Sequence, residues 1–184
     1  MEIQPVGKKS LYEFITSRRD IKNFEYGKIS QETIRNIVEC GRWAPLPKEG
    51  YEPWRVNVVI HPTVKQMIAE TMDFEMASII SDANANFVIL RKITEESNRD
   101  DDLVSIGAFI QNILLFAYSI DNLGAVLINS IKDQSEEILK IFKLPPTRYE
   151  SIAIIAMGAI DKEMHNKTKK KESRASIESY LDIF

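Results

Sequence analysis

Arg18, Arg19 and Lys22 place three cations within five residues, with Asp20 between them and Phe24 just beyond. Guanidinium groups bind phosphate oxygens through paired hydrogen bonds, and a lysine adds a point charge. Read alone, the run also suits a solvated basic turn. A second cluster is Arg42-Trp43-Ala44-Pro45-Leu46-Pro47, which continues to Glu52-Pro53-Trp54-Arg55. Its prolines stiffen a link between a helix and a strand, and such a loop can offer backbone groups to a flat ligand. The plainer alternative is a helix stop followed by a strand start, with Trp54 in the core. The third cluster is Gly158, a polar segment, the basic run Lys167 to Lys171, and Arg174 with Ile177 following. A cation here could return to the same anion as the first cluster. Most of these lysines read as a solvated charge run.

Other chemistries are poorly supplied. The two histidines, His61 and His165, have no Cys, His or Asp neighbour at metal-ligand spacing, so no metal site is expected. Cys40 falls inside a helical pattern with no nearby histidine and reads as packing. Asp100-Asp101-Asp102 with Glu95 and Glu96 lacks the glycine and spaced ligands of a calcium loop, and reads as solvated. There is no Gly-x-Gly-x-x-Gly and no P-loop, so a nicotinamide would bind without a Rossmann site. A formal net charge of −3 disfavours nucleic acid. One cysteine allows no disulfide within the chain, which suits the cytoplasm. The first ten residues carry no apolar core of a secretory signal. The longest apolar stretch, Leu103 to Leu123, has Gln111 and Asn112 at its centre, which argues for a buried helix and against a membrane span.

The elements that must position these clusters follow from periodicity and caps. The chain has 184 residues, 44% of them hydrophobic and 28% charged, a globular balance. No repeat or linker divides it, so residues 1–184 are expected to form one domain. Helices are expected at Leu11 to Arg18, from an N-cap at Ser30 to Pro45, from Pro62 to about Phe74, at Ser135 to Phe142, and as a short turn at Ser176 to Leu181. Strands are expected at Val56 to Ile60, Asn86 to Leu90, Ala125 to Ile128 and Ser151 to Ile160. Thr94 to Asp102 reads as a charged loop. Leu103 to Leu123 reads as a central helix about 30 Å long, ended by Gly124. That helix is apolar nearly all the way round, so it needs cover on more than one side, and a partner subunit is one solution.

Taken together, the clusters resemble the nitroreductase family of flavoproteins. The residues that carry the likeness are Arg18-Arg19-Asp20-Ile21-Lys22-Asn23-Phe24, Ala44-Pro45-Leu46, Glu52-Pro53-Trp54-Arg55, Gln111-Asn112, Leu123-Gly124 and Arg174, in the family's order. The resemblance implies an α+β fold with a central mixed β-sheet flanked by helices, and an intertwined homodimer with FMN at its interface. It implies that Arg18, Arg19 and Arg174 hold the FMN phosphate, with Asp20 at the adjoining position. Lys22 would be the catalytic cation at the flavin N1/O2 edge, where a fixed positive charge stabilises the charge that reduction brings. Pro45, Leu46 and Pro47 would line the isoalloxazine and ribityl through their backbone. Leu127 and Ile128 would offer an amide towards N5.

The implied activity is an FMN-dependent oxidoreductase passing hydride from NADH or NADPH to a small electron acceptor such as a nitroaromatic or quinone. Two other readings follow from the same likeness: a dehalogenase-like or flavin-destroying relative, whose lid would come from Thr63 to Asn84 or Thr94 to Asp102, and a flavin-binding module without turnover. Against the family pattern, Leu46 replaces a serine and Glu52 a glutamine. Glu49 or Gly50 stands where the family has an asparagine, and Glu172 where it has a lysine.

Overall fold

Serines open the first two helices. Ser10 caps α1 (Leu11–Ser17) in a capping box with Glu13, and Ser30 accepts the Thr33 N–H to cap α2 (Gln31–Arg42). The computed structural model describes residues 10–129, 131–161 and 174–184. The remaining elements are β1 (Trp54–Val59), α3 (Pro62–Ala69), α4 (Phe74–Asp82), β2 (Ala85–Lys92), α5 (Arg99–Ser119), β3 (Leu123–Ile128), α6 (Ser135–Ile141), β4 (Tyr149–Ala159) and a 3-10 turn at Ile177–Ser179.

The fold is α+β. The four strands lie in the order β1-β2-β4-β3. The sheet was expected to be mixed, but every pairing among the described strands is antiparallel. Side chains of β2 and β4 alternate between two apolar layers, as the two-residue period of a strand requires. Phe87, Ile89, Ala153, Ile155 and Met157 face α2 and α5, while Val88, Leu90, Ile154 and Ala156 face α3, α4 and α6. The inner strands thus read as continuous apolar runs because both faces are covered.

Three boundaries differ from the sequence reading, each for a local reason. The helix begun by Pro62 stops at Ala69, because Asp73 accepts the Met76 N–H at 2.9 Å and starts α4. The charged loop expected over Thr94 to Asp102 ends at Asn98, and its last four residues, Arg99 to Asp102, are the first turn of the central helix. Asn98 caps α5, and Asp100, Asp101 and Asp102 lie at its N-terminus, where the helix dipole favours anions. Asn122, at φ 59°, makes the turn after α5, which leaves Gly124 inside β3.

Asp102 is the largest departure, since it is fully buried and not solvated. Arg91 donates to it at 3.0 Å and to Glu150 at 2.9 Å, and Arg99 holds the other side of Glu150 at 2.7 Å. Burial works to raise the Glu150 pKa, but the hydrogen bonds from Arg99 and Arg91 outweigh it and hold this carboxyl below its usual range. This network clamps the start of α5 to β2 and β4. Midway along α5, Phe109 stacks on Trp54 with centroids 4.7 Å apart, and Asn112 donates to the Cys40 carbonyl of α2. By length and composition α5 could cross a membrane. In this fold Ile106, Phe109, Ile113 and Ala117 are buried in the core, while Val104, Gly107 and Gln111 are exposed.

Candidate functional site

The site is built on an extended segment laid across the end of the sheet. After α1 the chain leaves helical geometry at Arg18 and runs beside β3, where the Ile21 N–H donates to the Ala125 carbonyl at 3.0 Å. It then crosses to β4, where the Glu25 N–H donates to the Ala159 carbonyl at 2.8 Å. Gly124 and Gly158 are paired directly opposite each other on β3 and β4. A Cβ at Gly124 would stand 2.9 Å from the Ile21 Cβ, and one at Gly158 would stand 2.9 Å from the Phe24 Cβ. Both are closer than carbon atoms pack, so only a glycine pair admits the segment at this height. Asn84 locks its far end, donating to the Glu25 carbonyl at 3.1 Å and accepting the Ala159 N–H at 2.8 Å.

With Ile21 and Phe24 turned to the sheet, Asp20, Lys22 and Asn23 are exposed, while Arg18 and Arg19 are partly buried. Arg18 is held by Asp20 at 2.7 Å. Arg19 donates through Nη1 to the carbonyls of Thr16 and Arg18 at the end of α1, while its Nε is buried without an acceptor among the described residues. A buried, unsatisfied guanidinium N–H is costly and suits an anion. Lys22 is half exposed, and its Nζ meets Glu75 Oε1, in the first turn of α4, at 2.6 Å. The hydrogen bond and charge of Glu75 raise the Lys22 pKa, so the ammonium stays charged at neutral pH.

Leu127 and Ile128 lie on β3 beside this segment, at the open edge of the sheet. Hydrogen bonding alternates along an antiparallel strand. Because Ala125 turns its carbonyl outward to Ile21, Leu127 turns its backbone groups to the same open side.

Pro45, Leu46 and Pro47 lie elsewhere in the chain, just past α2. Their loop is tied down by Arg42, which donates to Glu52 at 3.1 Å, by an ion pair of Lys48 with Glu96 at 2.7 Å, and by a turn in which Gly50 takes φ +73°. Among the described residues no hydrogen bond or ion pair joins this loop to Arg18–Lys22. Glu52 is therefore a carboxylate already engaged by Arg42. Trp54 is core, as the plainer alternative held. Arg174 lies on the surface before the 3-10 turn. The run Lys167 to Lys171, Glu172 and His165 fall outside the described residues. No cluster of metal-ligating side chains occurs among the described residues.

Two participants were not legible in the sequence. In the sequence Gly124 reads as a helix end and Gly158 as the start of a polar cluster near the end of a strand, because cross-strand register is invisible before the fold is known. Glu75 had no signal at all, since it reaches Lys22 from 53 positions away.

Comparison with known proteins gives the family and the fold. The profile of the nitroreductase family matches residues 15–159. A crystal structure of a provisionally named nitroreductase from Desulfovibrio desulfuricans, in complex with FMN, superposes with a TM-score of 0.82 at 26% identity, covering 96% of this chain and 99% of that one. A second FMN complex, from Exiguobacterium sibiricum, shares the fold with a TM-score of 0.80 at 19% identity over 96% of this chain and 98% of that one. A Methanothermobacter thermautotrophicus protein provisionally named NADH dehydrogenase/NAD(P)H nitroreductase is 27% identical over 147 residues, 76% of this chain and 72% of its own length. With its family profile matched across most of its length, this chain belongs to the nitroreductase family.

Proposed function

We propose that the protein is an FMN-dependent oxidoreductase that takes hydride from NADH or NADPH and passes it to a small acceptor such as a nitroaromatic or quinone. The observation that carries the reading is the Arg18–Lys22 segment, seated on Gly124 and Gly158 with the Arg19 Nε left unpaired. When bound, FMN supplies reversible hydride chemistry that no side chain here can. Arg18, Arg19 and Arg174 would bind its phosphate, with Asp20 fixing Arg18. Lys22 would hold a positive charge against the N1/O2 edge, and of the expected pair Leu127 and Ile128 it is Leu127 that would present an outward backbone N–H towards N5, since Ile128 turns its backbone groups to β4. Pro45, Leu46 and Pro47 would line the ring by their backbone.

That last contribution calls for a homodimer, because the loop is tied down apart from Arg18–Lys22. Support comes from the uncovered side of α5 at Val104, 76% exposed, and from Leu11 and Tyr12 on α1, 69% and 76% exposed. The family likeness has both subunits contributing to one flavin. The single cysteine suits a cytoplasmic location.

A lid formed by Thr63 to Asn84 is disfavoured, because this segment forms α3 and α4, whose Ile68, Ile79 and Ile80 are packed in the core, which leaves Thr94 to Asp102 as the segment for a lidded relative. The test is anaerobic mixing of FMN-loaded protein with NADH or NADPH, followed by a quinone or nitroaromatic. The reading expects bleaching of the flavin absorption and its return, with ping-pong kinetics. Bound flavin that neither nucleotide reduces would make the protein a binding module.

A further inference from the structure

Lys22 and Glu75 are an exposed pair, their side chains 54% and 71% accessible, and such pairs add little to stability. What sets this one apart is that each partner is fixed by something else. Lys22 sits on the segment that Gly124 and Gly158 hold against the sheet. Glu75 is the second residue of α4, a helix started by the Asp73 cap and anchored through the fully buried Ile80. The 2.6 Å contact therefore bridges the α4 layer and the candidate cofactor segment. Asp20, the other acid acting on Lys22, already accepts a hydrogen bond from Arg18.

We propose that Glu75 is the positioning residue for Lys22: it fixes where the ammonium stands and sets how much positive charge the site offers to reduced flavin. This rests on the reading above, that Lys22 faces the flavin. A free lysine would sample many rotamers, and its charge would be averaged over them. With Glu75 beside it, the charge is localised but partly offset. Removing the carboxylate while keeping its shape therefore strengthens the net positive field at the cofactor.

The experiment uses Glu75→Gln, with Glu75→Asp as the conservative variant and Lys22→Gln as reference. The first readout needs no flavin. Acetylation of Lys22 at pH 8–9, followed by mass spectrometry, should run several-fold faster in Glu75→Gln, because the Lys22 pKa falls. The second is the midpoint potential of the FMN-loaded protein. Glu75→Gln should raise the ratio of reduced to oxidised flavin about tenfold at a fixed potential, an upward shift of about 30 mV for a two-electron couple. Glu75→Asp should return most of that shift. Lys22→Gln should lower the potential, and Glu75→Gln should add less in that background.

Unchanged acetylation would show that the pair does not form in solution and would overturn the proposal. Faster acetylation with an unmoved potential would leave an ordinary surface ion pair and overturn it as well. Wild-type protein that retains no FMN would instead defeat the functional reading beneath it, and the acetylation result would still report on the pair.

Discussion

Replacing Gly124 by alanine tests the seat of the candidate site directly. The new Cβ would stand 2.5 Å from Ile160 Cγ2 and 2.9 Å from Ile21 Cβ. The first neighbour is the end of a side chain and can rotate. The second is attached to the backbone, so the Arg18–Phe24 segment must lift by roughly 0.5–1 Å to restore carbon contacts of about 3.5–4.0 Å. Overpacking of this kind costs about 1–3 kcal/mol. Losing the Ile21–Ala125 hydrogen bond would add about 1 kcal/mol, and alanine in a strand returns about 0.5–1 kcal/mol relative to glycine. The net of about 2 kcal/mol should lower the melting temperature of FMN-free protein by about 4–8 °C. Because the same shift moves Arg18, Arg19 and Lys22, FMN affinity should fall about tenfold or more, which is about 1.4 kcal/mol or more. Calorimetric melting and an FMN fluorescence titration read the two effects. Gly158→Ala should behave alike, and the double variant should cost less than the sum, because the segment has already moved. A lower melting temperature with unchanged FMN affinity would refute the link between this seat and the cofactor. No change in either would refute the packing itself.

Further expectations concern the rest of the molecule. Arg91→Met should destabilise the fold by about 3–5 kcal/mol in urea unfolding, because it strands the fully buried Asp102; pairing it with Asp102→Leu should recover most of that loss. Glu150 titrates below its unfolded range, so its contribution is present above about pH 4.3 and is lost as pH falls through the depressed folded value. Melting temperature should therefore drop on acidification below that point, and less steeply in Glu150→Gln. Gly107 is exposed on α5 with nothing within 4 Å of a would-be Cβ in the single chain. On the proposed homodimer, Gly107→Arg should leave the chain folded but shift sedimentation from dimer to monomer, and an unchanged dimer would place the interface elsewhere.

The layers of the fold are legible because the inner strands are short continuous apolar runs, whereas the amphipathic helices space their apolar residues three and four apart. Ser30 and Pro62 marked helix starts by their own chemistry. Asp73 and Asn98 are caps of the same kind, yet Asp73 falls inside the helix expected from Pro62 to about Phe74 and Asn98 stands among other polar residues, so α4 is missed in the sequence and α5 is expected to start four residues late. Asp102 looked solvated because sequence spacing cannot show Arg91, which reaches it from β2. The antiparallel course of the sheet depends on which strands become neighbours, and no local signal sets that. The cation cluster was visible as a motif, since Arg18, Arg19 and Lys22 are contiguous. Its support was not, because Gly124 meets Gly158 only through register and Glu75 meets Lys22 only through the packing of α4.

The most direct test of the central claim is titration of the purified, flavin-free protein with FMN, followed by fluorescence, beside a parallel titration with riboflavin. Saturation at one FMN per chain, with riboflavin binding much more weakly and Arg19→Ala narrowing the difference between the two by weakening FMN alone, is the expected result. A folded protein that binds neither, or that binds both equally whether or not Arg19 is present, would contradict the assignment of this segment as the phosphate cradle of a flavoenzyme.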